Sequence, residues 1–222
     1  MSAHLDIDFV SDVSCPWCVI GLRSLEQAVA GMTEEIDADI RFQPFELNPQ
    51  MPPEGQDLDE HLLEKYGATP EQFAPTRRAI AERGEELGFE FRLDRRNRIY
   101  NTFDAHRLLH WAEHAGRQLE LKHALFRVYF TEGENPGSRE VLLRVVEDVG
   151  LDPQRAAEIL DSEIYADEVR ERERHYQSLG INAVPAVIVN GKYLIQGGQP
   201  ASVFEQALRE IATKEERDSP AA

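Results

Sequence analysis

The chain has few cysteines, few basic residues and no long apolar run. Among its 222 residues, 24 Lys and Arg stand against 41 Asp and Glu, which gives a formal net charge of −17. This charge argues against binding to nucleic-acid phosphates. The sequence also lacks the roughly 18 consecutive apolar residues that would predict a membrane-spanning helix. It therefore predicts neither a nucleic-acid partner nor a membrane partner.

The first residues resemble neither a secretory signal nor an anchor. MSAHLDIDFV passes directly into alternating polar and apolar residues, without a cationic start or an apolar core. We therefore expect a cytoplasmic protein. An apolar fraction of 41% with 29% charged residues is typical of a globular chain, long enough for one domain or for one domain that carries an insertion.

The chain contains two cysteines, and they stand close together in the segment Cys15-Pro16-Trp17-Cys18. A disulfide between Cys15 and Cys18 would close a loop too small to stabilise a fold of this size. The two cysteines are therefore expected to take part in a chemical reaction rather than to stabilise the fold.

The hydrophobic pattern begins as strand, helix, strand. Residues 4–10 alternate polar and apolar, as in a half-buried strand, and the cysteine segment then leads into a helix that is predicted to end near Gly31. Residues 39–47 alternate again, although Pro44 limits this second strand to an end, an edge or a bulge. Together these segments predict a βαβ unit.

The middle of the chain shows helical spacing. Residues 48–55 form a polar, proline-rich linker, and six helices are predicted after it, at 57–66, 70–87, 102–115, 119–132, 138–149 and 153–179.

The pattern changes again after Gly180. Two β-rich runs, 183–189 and 192–196, flank Asn190-Gly191, a pair that favours the type I′ turn of a hairpin. A last helix is predicted at 200–214, and residues 216–222 are predicted to be a flexible tail.

This order predicts the α/β class and, within it, the thioredoxin fold, a β-α-β half followed by a β-β-α half, with an all-helical insertion between the two halves. Residues 1–55 and 178–215 would form a discontinuous thioredoxin-like domain. The insertion would cover residues 56–177.

The cysteine pair has the spacing that disulfide exchange requires. One thiolate must attack, and a second thiol must be close enough to resolve the mixed disulfide. Cys15, at the N-terminal end of the helix, is favoured as a thiolate by the helix dipole and is predicted as the nucleophile, with Cys18 as the resolving thiol. Pro16 suits the first helical turn, and Trp17 offers an apolar surface to a substrate.

The cysteine pair has two other interpretations. A structural zinc site needs four ligands, and the sequence has no second CxxC, so no metal is predicted. Two inert buried cysteines are the other alternative, but a CxxC motif in a βαβ context is itself a redox signature.

Val184-Pro185 is the second candidate element. A proline that opens an apolar strand after a turn fits an X-Pro bond held cis, with the backbone of Val184 free to pair with an extended substrate. From the residues alone, an ordinary trans proline at a sheet edge is the more common case.

The chain resembles the DsbA-type thioredoxin family, specifically its FrnE-like cytoplasmic branch. The resemblance rests on CPWC after a first strand, on AVPAVIVNGKYLIQGGQ, and on NTFDAHRLLHWA and ALFRVYFTEGENP between them, and it covers residues 5–212. It implies dithiol-disulfide oxidoreductase activity, with Cys15 and Cys18 as the redox pair and Pro185 as a cis-proline.

The sequence near the motif offers one candidate acid that could assist the dithiol. Phe9 stands where thioredoxins and many relatives carry a buried carboxylate, and Asp12 is the nearest acid in sequence. Asp12 is either a base for the dithiol or a solvated loop carboxylate, and the second interpretation is favoured.

His106, His110 and His114 form one helical stripe, which is interpreted as packing or surface histidines rather than a metal site.

The leading hypothesis is a thiol-disulfide oxidoreductase that acts on protein or small-molecule thiols and disulfides, as a monomer or homodimer. It needs no organic cofactor, although glutathione is a candidate co-substrate. One alternative is a glutathione-dependent enzyme of the kappa-transferase or 2-hydroxychromene-2-carboxylate isomerase type, against which the intact CPWC argues. The other is a non-catalytic holdase that binds unfolded chains beside Trp17.

Overall fold

The structure, a computed structural model, describes residues 2–218, and a four-stranded sheet lies at its centre. The strands are β1 (Ala3–Ser11), β2 (Ile36–Pro44), β5 (Ala186–Val189) and β6 (Tyr193–Gln196), arranged in the order β2-β1-β5-β6. β1 runs parallel to β2 and antiparallel to β5, and β5 and β6 form a hairpin. This is the predicted thioredoxin arrangement.

Local signals in the sequence account for these strands. The alternating side chains Leu5, Ile7 and Phe9 of β1 are almost completely buried. Asn190 and Gly191 have φ values of 52° and 64°, as a type I′ turn requires. Asn190 also accepts a hydrogen bond from the Asp6 backbone N–H through its side-chain oxygen, at 3.0 Å, which fixes the hairpin against β1.

Two helices complete the thioredoxin-like part. α1 (Pro16–Ala30) follows the cysteine motif, and α9 (Ala201–Asp218) packs against it. α9 extends beyond the predicted end at residue 214, and residues 219–222 of the predicted tail lie outside the described residues. Within residues 2–218, no helix has the length and apolar character needed to cross a bilayer.

The middle of the chain contains seven α-helices in the described residues. They are α2 (Leu58–Tyr66), α3 (Pro70–Glu86), α4 (Phe103–His114), α5 (Gln118–Arg127), α6 (Arg139–Asp148), α7 (Pro153–Leu160) and α8 (Ala166–Ser178). The insertion is not wholly α-helical: α5 continues into a π-helical turn, Val128–Glu132, and β3 (Gln56–Asp57) pairs with β4 (Arg98–Ile99).

The single helix predicted over 153–179 is wrong, because the chain breaks between α7 and α8. The buried Arg107 guanidinium donates hydrogen bonds to the backbone carbonyls of Ile159, Ser162 and Ile164. These bonds join the end of α7 and the residues after it to α4, at the point where the chain leaves its helical path. Tyr165, with φ of 64°, then redirects the chain into α8.

The insertion and the central sheet share one hydrophobic core. Phe126, Tyr129 and Phe130 belong to the same cluster of buried side chains as Phe9 and Val187. A second cluster, centred on α4 to α7, lies within the insertion and reaches Val13 before the motif. The division into domains at residues 55/56 and 177/178 stays a prediction.

Gly21 lets α1 approach the loop that holds Pro185. A Cβ atom at Gly21 would lie 3.0 Å from Pro185 Cγ and 3.3 Å from Gly198 Cα. We expect Gly21→Ala to lower the free energy of unfolding by about 1–3 kcal/mol, because backbone and ring atoms must shift. Gly31→Ala is the matched control, since its Cβ would meet nothing closer than 3.5 Å and its φ is −76°. Denaturant unfolding of both variants measures the loss of stability, and equal stabilities of the two variants would contradict the prediction.

Candidate active site

The two thiols lie at the start of α1, one turn apart. Cys15 is the N-cap residue and Pro16 the first helical residue, and the Cys18 backbone N–H donates to the Cys15 carbonyl at 3.1 Å. Both cysteines are free thiols, and their exposed fractions are 4% for Cys15 and 0% for Cys18. The predicted arrangement, with Cys18 deeper than Cys15, is present.

The environment of Cys18 keeps its proton in place. Burial raises the pKa of the Cys18 thiol well above its ordinary value, and the neighbouring Cys15 raises it further. Lys122 acts in the opposite direction but does not outweigh these effects. Cys18 is therefore held as a neutral thiol that must lose its proton before it can attack a disulfide.

The Val184-Pro185 peptide bond is cis and lies beside the dithiol. The Cys15 thiol faces the Val184 carbonyl oxygen, with Sγ and O 3.7 Å apart. The common trans geometry expected from the residues alone is therefore wrong, and the cis geometry implied by the resemblance is confirmed. The loop before Pro185 brings residues distant in sequence to the thiol.

A cleft with a volume of about 640 Å³ opens at Cys15. Of the predicted substrate-binding residues, Pro16, Trp17 and Val184 line it, whereas Pro185 is buried beneath. Its other walls come from the β2–α2 loop, α2, α3 and the residues near β4. They include apolar and aromatic side chains and several charged ones, among them Phe45, Leu62, Tyr66, Phe73, Ile80, Lys65, Arg77 and Arg96.

Asp12 is not the solvated carboxylate that the sequence favoured; it is 1% exposed. Its oxygens accept hydrogen bonds from the backbone N–H of Ser14 at 3.1 Å, the Ser14 hydroxyl at 3.0 Å and the backbone N–H of Leu47 at 2.7 Å. His106 Nε2 lies 3.6 Å from Asp12 Oδ1. Asp12 therefore joins the loop before Cys15 to the end of the β2 segment and to α4.

The Asp12 carboxylate should make the protein sensitive to acid. Burial opposes its ionisation, but attraction to His106 and the N–H groups of Leu47 and Ser14 hold its pKa below the ordinary value. A carboxyl whose folded-state pKa is lowered stabilises the fold above its unfolded pKa, about 3.9. That contribution is lost as the pH falls through the folded-state value.

We expect Asp12→Asn to lower the free energy of unfolding at pH 7 by about 1–3 kcal/mol, because buried donors lose a charged acceptor. Its deficit relative to the unmutated protein should shrink as the pH falls below about 4. Asp37→Asn is the control, because that side chain is 72% exposed. Urea unfolding at a series of pH values measures both, and a deficit that does not change with pH would contradict the assignment.

The three histidines of α4 differ in their burial. His106 and His110 are buried, at 2% and 8% exposure, whereas His114 is exposed. The rings of His110 and Tyr165 are 5.0 Å apart. Within residues 2–218 the stripe does not bring three metal-ligating atoms together. His106 and His110 are therefore packed in the interior, and His114 lies at the surface.

Sequence reasoning missed two buried charged residues near the site. Lys122 of α5 is fully buried, and Glu46, buried at the edge of the cleft, pairs with Arg170 of α8. Burial raises the pKa of Glu46, and the nearby Glu173 adds to that effect. Each residue stands in a sequence that looks locally amphipathic, so no signal in the sequence distinguished it from a solvated charge.

The sheet order, the cysteine pair at the start of α1 and the cis-proline beside it define the thioredoxin fold class. Within that class the chain belongs to the DsbA-like thioredoxin domain family, whose model matches residues 6–209. The family predicted from the resemblance is thereby confirmed, whereas its FrnE-like branch stays a prediction.

Known proteins align along almost the whole chain. The probable DsbA oxidoreductase SCO1869 from Streptomyces coelicolor has 32% sequence identity and a TM-score of 0.90, covering 99% of this chain and 93% of that one. The uncharacterized protein YwbO of Bacillus subtilis (strain 168) is 27% identical over 96% of this chain and 100% of its own length. Cytosolic disulfide reductase DsbM from Pseudomonas aeruginosa, solved with GSH, shares the fold at 19% identity and a TM-score of 0.63, covering 92% and 99% of the two chains.

Proposed function

We propose that the protein is a thiol-disulfide oxidoreductase that forms a mixed disulfide at Cys15 and resolves it with Cys18. One observation carries the proposal: Cys15 lines the cleft, and a second thiol, Cys18, is completely buried one turn deeper. The family and the similarity to the probable DsbA oxidoreductase SCO1869 support the same class of reaction.

The cleft supports substrates that present a disulfide on a small molecule or an extended segment. A volume of about 640 Å³ suits a ligand of tripeptide size or a few residues of a protein loop. Pro16, Trp17 and Val184 would contact the substrate on either side of Cys15, with Pro185 supporting the loop. DsbM was solved with glutathione, which supports glutathione as a co-substrate here, and no other cofactor is part of the proposal. The cytoplasm is the proposed location, where such a dithiol would reduce or rearrange disulfides.

The experiment is a titration of Cys15 and Cys18 in glutathione redox buffers. Free thiols are trapped by alkylation, and the oxidised fraction is measured by mass. We expect one two-electron transition. A potential near about −270 mV would indicate a reductase, and one near about −180 to −120 mV an isomerase or oxidase. If no disulfide forms across the series, the proposal is wrong.

Two further assays test the alternative functions of the protein. A kappa-type or isomerase activity would convert an aromatic carboxylate with glutathione and survive Cys18→Ser. A holdase would suppress aggregation of an unfolded client equally well as a Cys15→Ser, Cys18→Ser double variant. We expect neither result if the dithiol carries the function.

A further inference from the structure

The cleft beside Cys15 has basic walls in a chain whose net charge is −17. The basic side chains in its lining are those of His61, Lys65, Arg77 and Arg96. Among the described residues that line the cleft, Glu46 is the one acid, and it is buried and pairs with Arg170. The charged groups of the lining therefore have an excess of positive charge, opposite in sign to the net charge of the chain.

Arg96 packs against the π-helical turn that follows α5. Its guanidinium carbon lies 4.8 Å from the ring centroid of Tyr129 and 5.2 Å from that of Phe130, a distance at which a cation is attracted to the face of a ring. Its Nε is buried and has no hydrogen-bond partner in residues 2–218. The contacts of the Arg96 guanidinium are therefore with neutral groups, the two rings and the Tyr129 hydroxyl, and they leave its positive charge uncompensated.

The segment that carries Arg96 is fixed to the same π-helical turn. The Arg92 backbone N–H donates a hydrogen bond to the Phe130 carbonyl at 2.8 Å. Gly133, which ends the π-helical turn, has φ of 77°, and a Cβ atom there would lie 2.8 Å from the Cβ and the carbonyl oxygen of Arg95. Glycine permits both the positive φ and this close approach. Arg96 is thus held in place before a ligand arrives, which lowers the entropy cost of binding.

Lys65 of α2 is the second cation of the cleft with neutral partners. Its Nζ donates hydrogen bonds to the Leu47 carbonyl at 2.9 Å and to Asn48 Oδ1 at 2.7 Å. An ammonium group has three donors, so one of them remains for a ligand. Arg77 differs, because it donates to the Asp59 carboxylate at 2.5 Å. Lys65 and Arg96 are therefore the two side chains of the lining best suited to bind an anion.

We propose that the cleft selects small disulfides that carry a carboxylate, and that Arg96 and Lys65 bind this carboxylate while Cys15 attacks the disulfide. The inference rests on the proposed function and names the substrate class of the same cleft. A guanidinium binds a carboxylate through two parallel hydrogen bonds, which orients the substrate as well as attracting it.

The reaction consumes one disulfide for each dithiol of the protein. Cys15 attacks one sulfur as a thiolate and releases the first carboxylate-bearing thiolate. Cys18 then loses its proton, attacks the Cys15 sulfur and releases the second. Two thiols of the protein become one disulfide and the substrate disulfide becomes two thiols, so electrons and protons balance.

Three small disulfides that differ in charge test the selectivity. They are dithiodipropionate with carboxylates, cystamine with ammonium groups and the neutral hydroxyethyl disulfide. The reduced protein is mixed with each, formation of the Cys15-Cys18 disulfide is followed by alkylation and mass, and each rate is divided by that of dithiothreitol with the same disulfide. The division removes differences in intrinsic reactivity.

We expect dithiodipropionate to react at least about tenfold faster than hydroxyethyl disulfide on this normalised scale, and cystamine to be the slowest. The net charge of −17 alone predicts the reverse order, since a negatively charged protein attracts cations. An order with cystamine first, or three equal rates, would overturn the proposal. The proposed function would stand in either case, because the dithiol would still be oxidised.

Arg96→Met removes the charge and keeps an apolar side chain against the two rings. We expect it to raise the half-saturating concentration of dithiodipropionate about tenfold, with the maximal rate and the rate with hydroxyethyl disulfide changed less than about twofold. Arg78→Met is the matched control, because Arg78 is exposed on α3 and lines a separate cavity. It should leave all three rates unchanged. Equal slowing of all three disulfides by Arg96→Met would indicate a packing role and overturn the assignment.

Lys65→Met tests the same site if Arg96→Met fails to fold. Lys65 is exposed, so its replacement does not disturb the core. We expect the half-saturating concentration of dithiodipropionate to rise about fivefold and the rate with hydroxyethyl disulfide to stay the same. A Lys65→Met protein with unchanged selectivity among the three disulfides would contradict the proposal.

A protection assay reports binding without disulfide exchange. Thiodipropionate is a thioether that carries two carboxylates and no disulfide, and thiodiglycol is its neutral counterpart. We expect thiodipropionate to slow the alkylation of Cys15 by iodoacetamide, thiodiglycol to have no effect, and Arg96→Met to abolish the protection. If none of the three disulfides oxidises the dithiol, the proposed function fails, and this assay alone decides on the anion site. Absence of protection by thiodipropionate would then overturn it.

Discussion

Cys15→Ser is expected to reduce the rate of disulfide exchange by at least about 1000-fold. A serine hydroxyl stays protonated at pH 7, so it is a weak nucleophile, and it cannot form a disulfide. Cys18→Ser should behave differently. It keeps the attacking thiol at the mouth of the cleft and removes the resolving thiol one turn deeper. With oxidised glutathione it should therefore accumulate a Cys15-glutathione mixed disulfide.

Mass spectrometry of the two variants after exposure to oxidised glutathione makes the comparison. We expect one glutathione adduct on Cys18→Ser and none on Cys15→Ser, where the remaining thiol is fully buried and protonated. An adduct on Cys15→Ser, with none on Cys18→Ser, would reverse the assigned roles. Exchange rates in both variants equal to the rate of the unmutated protein would exclude the dithiol from the mechanism.

Phe130→Ala should produce a large loss of stability. Phe130 is fully buried, and its ring centroid lies 5.3 Å from Phe91 and 4.8 Å from Tyr129. Truncation of such a side chain costs about 3–5 kcal/mol, because transfer free energy is lost and a cavity remains. Urea unfolding followed by circular dichroism and by tryptophan fluorescence measures it.

The number of transitions matters as much as the size of the loss. Because Phe130 packs in the core that also contains the sheet, both probes should report one cooperative transition at the same urea concentration. Leu119→Ala, on α5 and 40% exposed, is the control and should change stability by less than about 0.5 kcal/mol. Two separate transitions would show that the insertion unfolds as an independent domain.

The sequence predicted the elements whose signals are local. Alternation in β1, the Asn190-Gly191 turn and the position of the cysteine pair before α1 depend on neighbouring residues, and the structure confirms each. The branch of the family, the cytoplasmic location and the oligomeric state stay predictions.

The errors arose where distant residues decide the structure. The break before Tyr165 depends on Arg107, more than fifty positions earlier, whose guanidinium binds the carbonyls at the end of α7. Asp12 is buried because the backbone N–H of Leu47, beyond the end of β2, reaches its carboxylate. A pattern of neighbouring residue types carries no information on such contacts, so polarity alone wrongly indicated exposure.

The uneven packing of the insertion has a consequence for substrate entry. Phe126, Tyr129 and Phe130 fix α5 and the π-helical turn to the core that contains the sheet, so this part of the insertion is not free to hinge as a rigid lid over Cys15. By contrast, α2 buries only Leu58 and exposes Leu63 and Tyr66. Local opening costs least where few apolar contacts are lost, so the cleft should widen by movement of this helix. A slender, flexible loop would then enter more readily than a disulfide in a rigid folded surface.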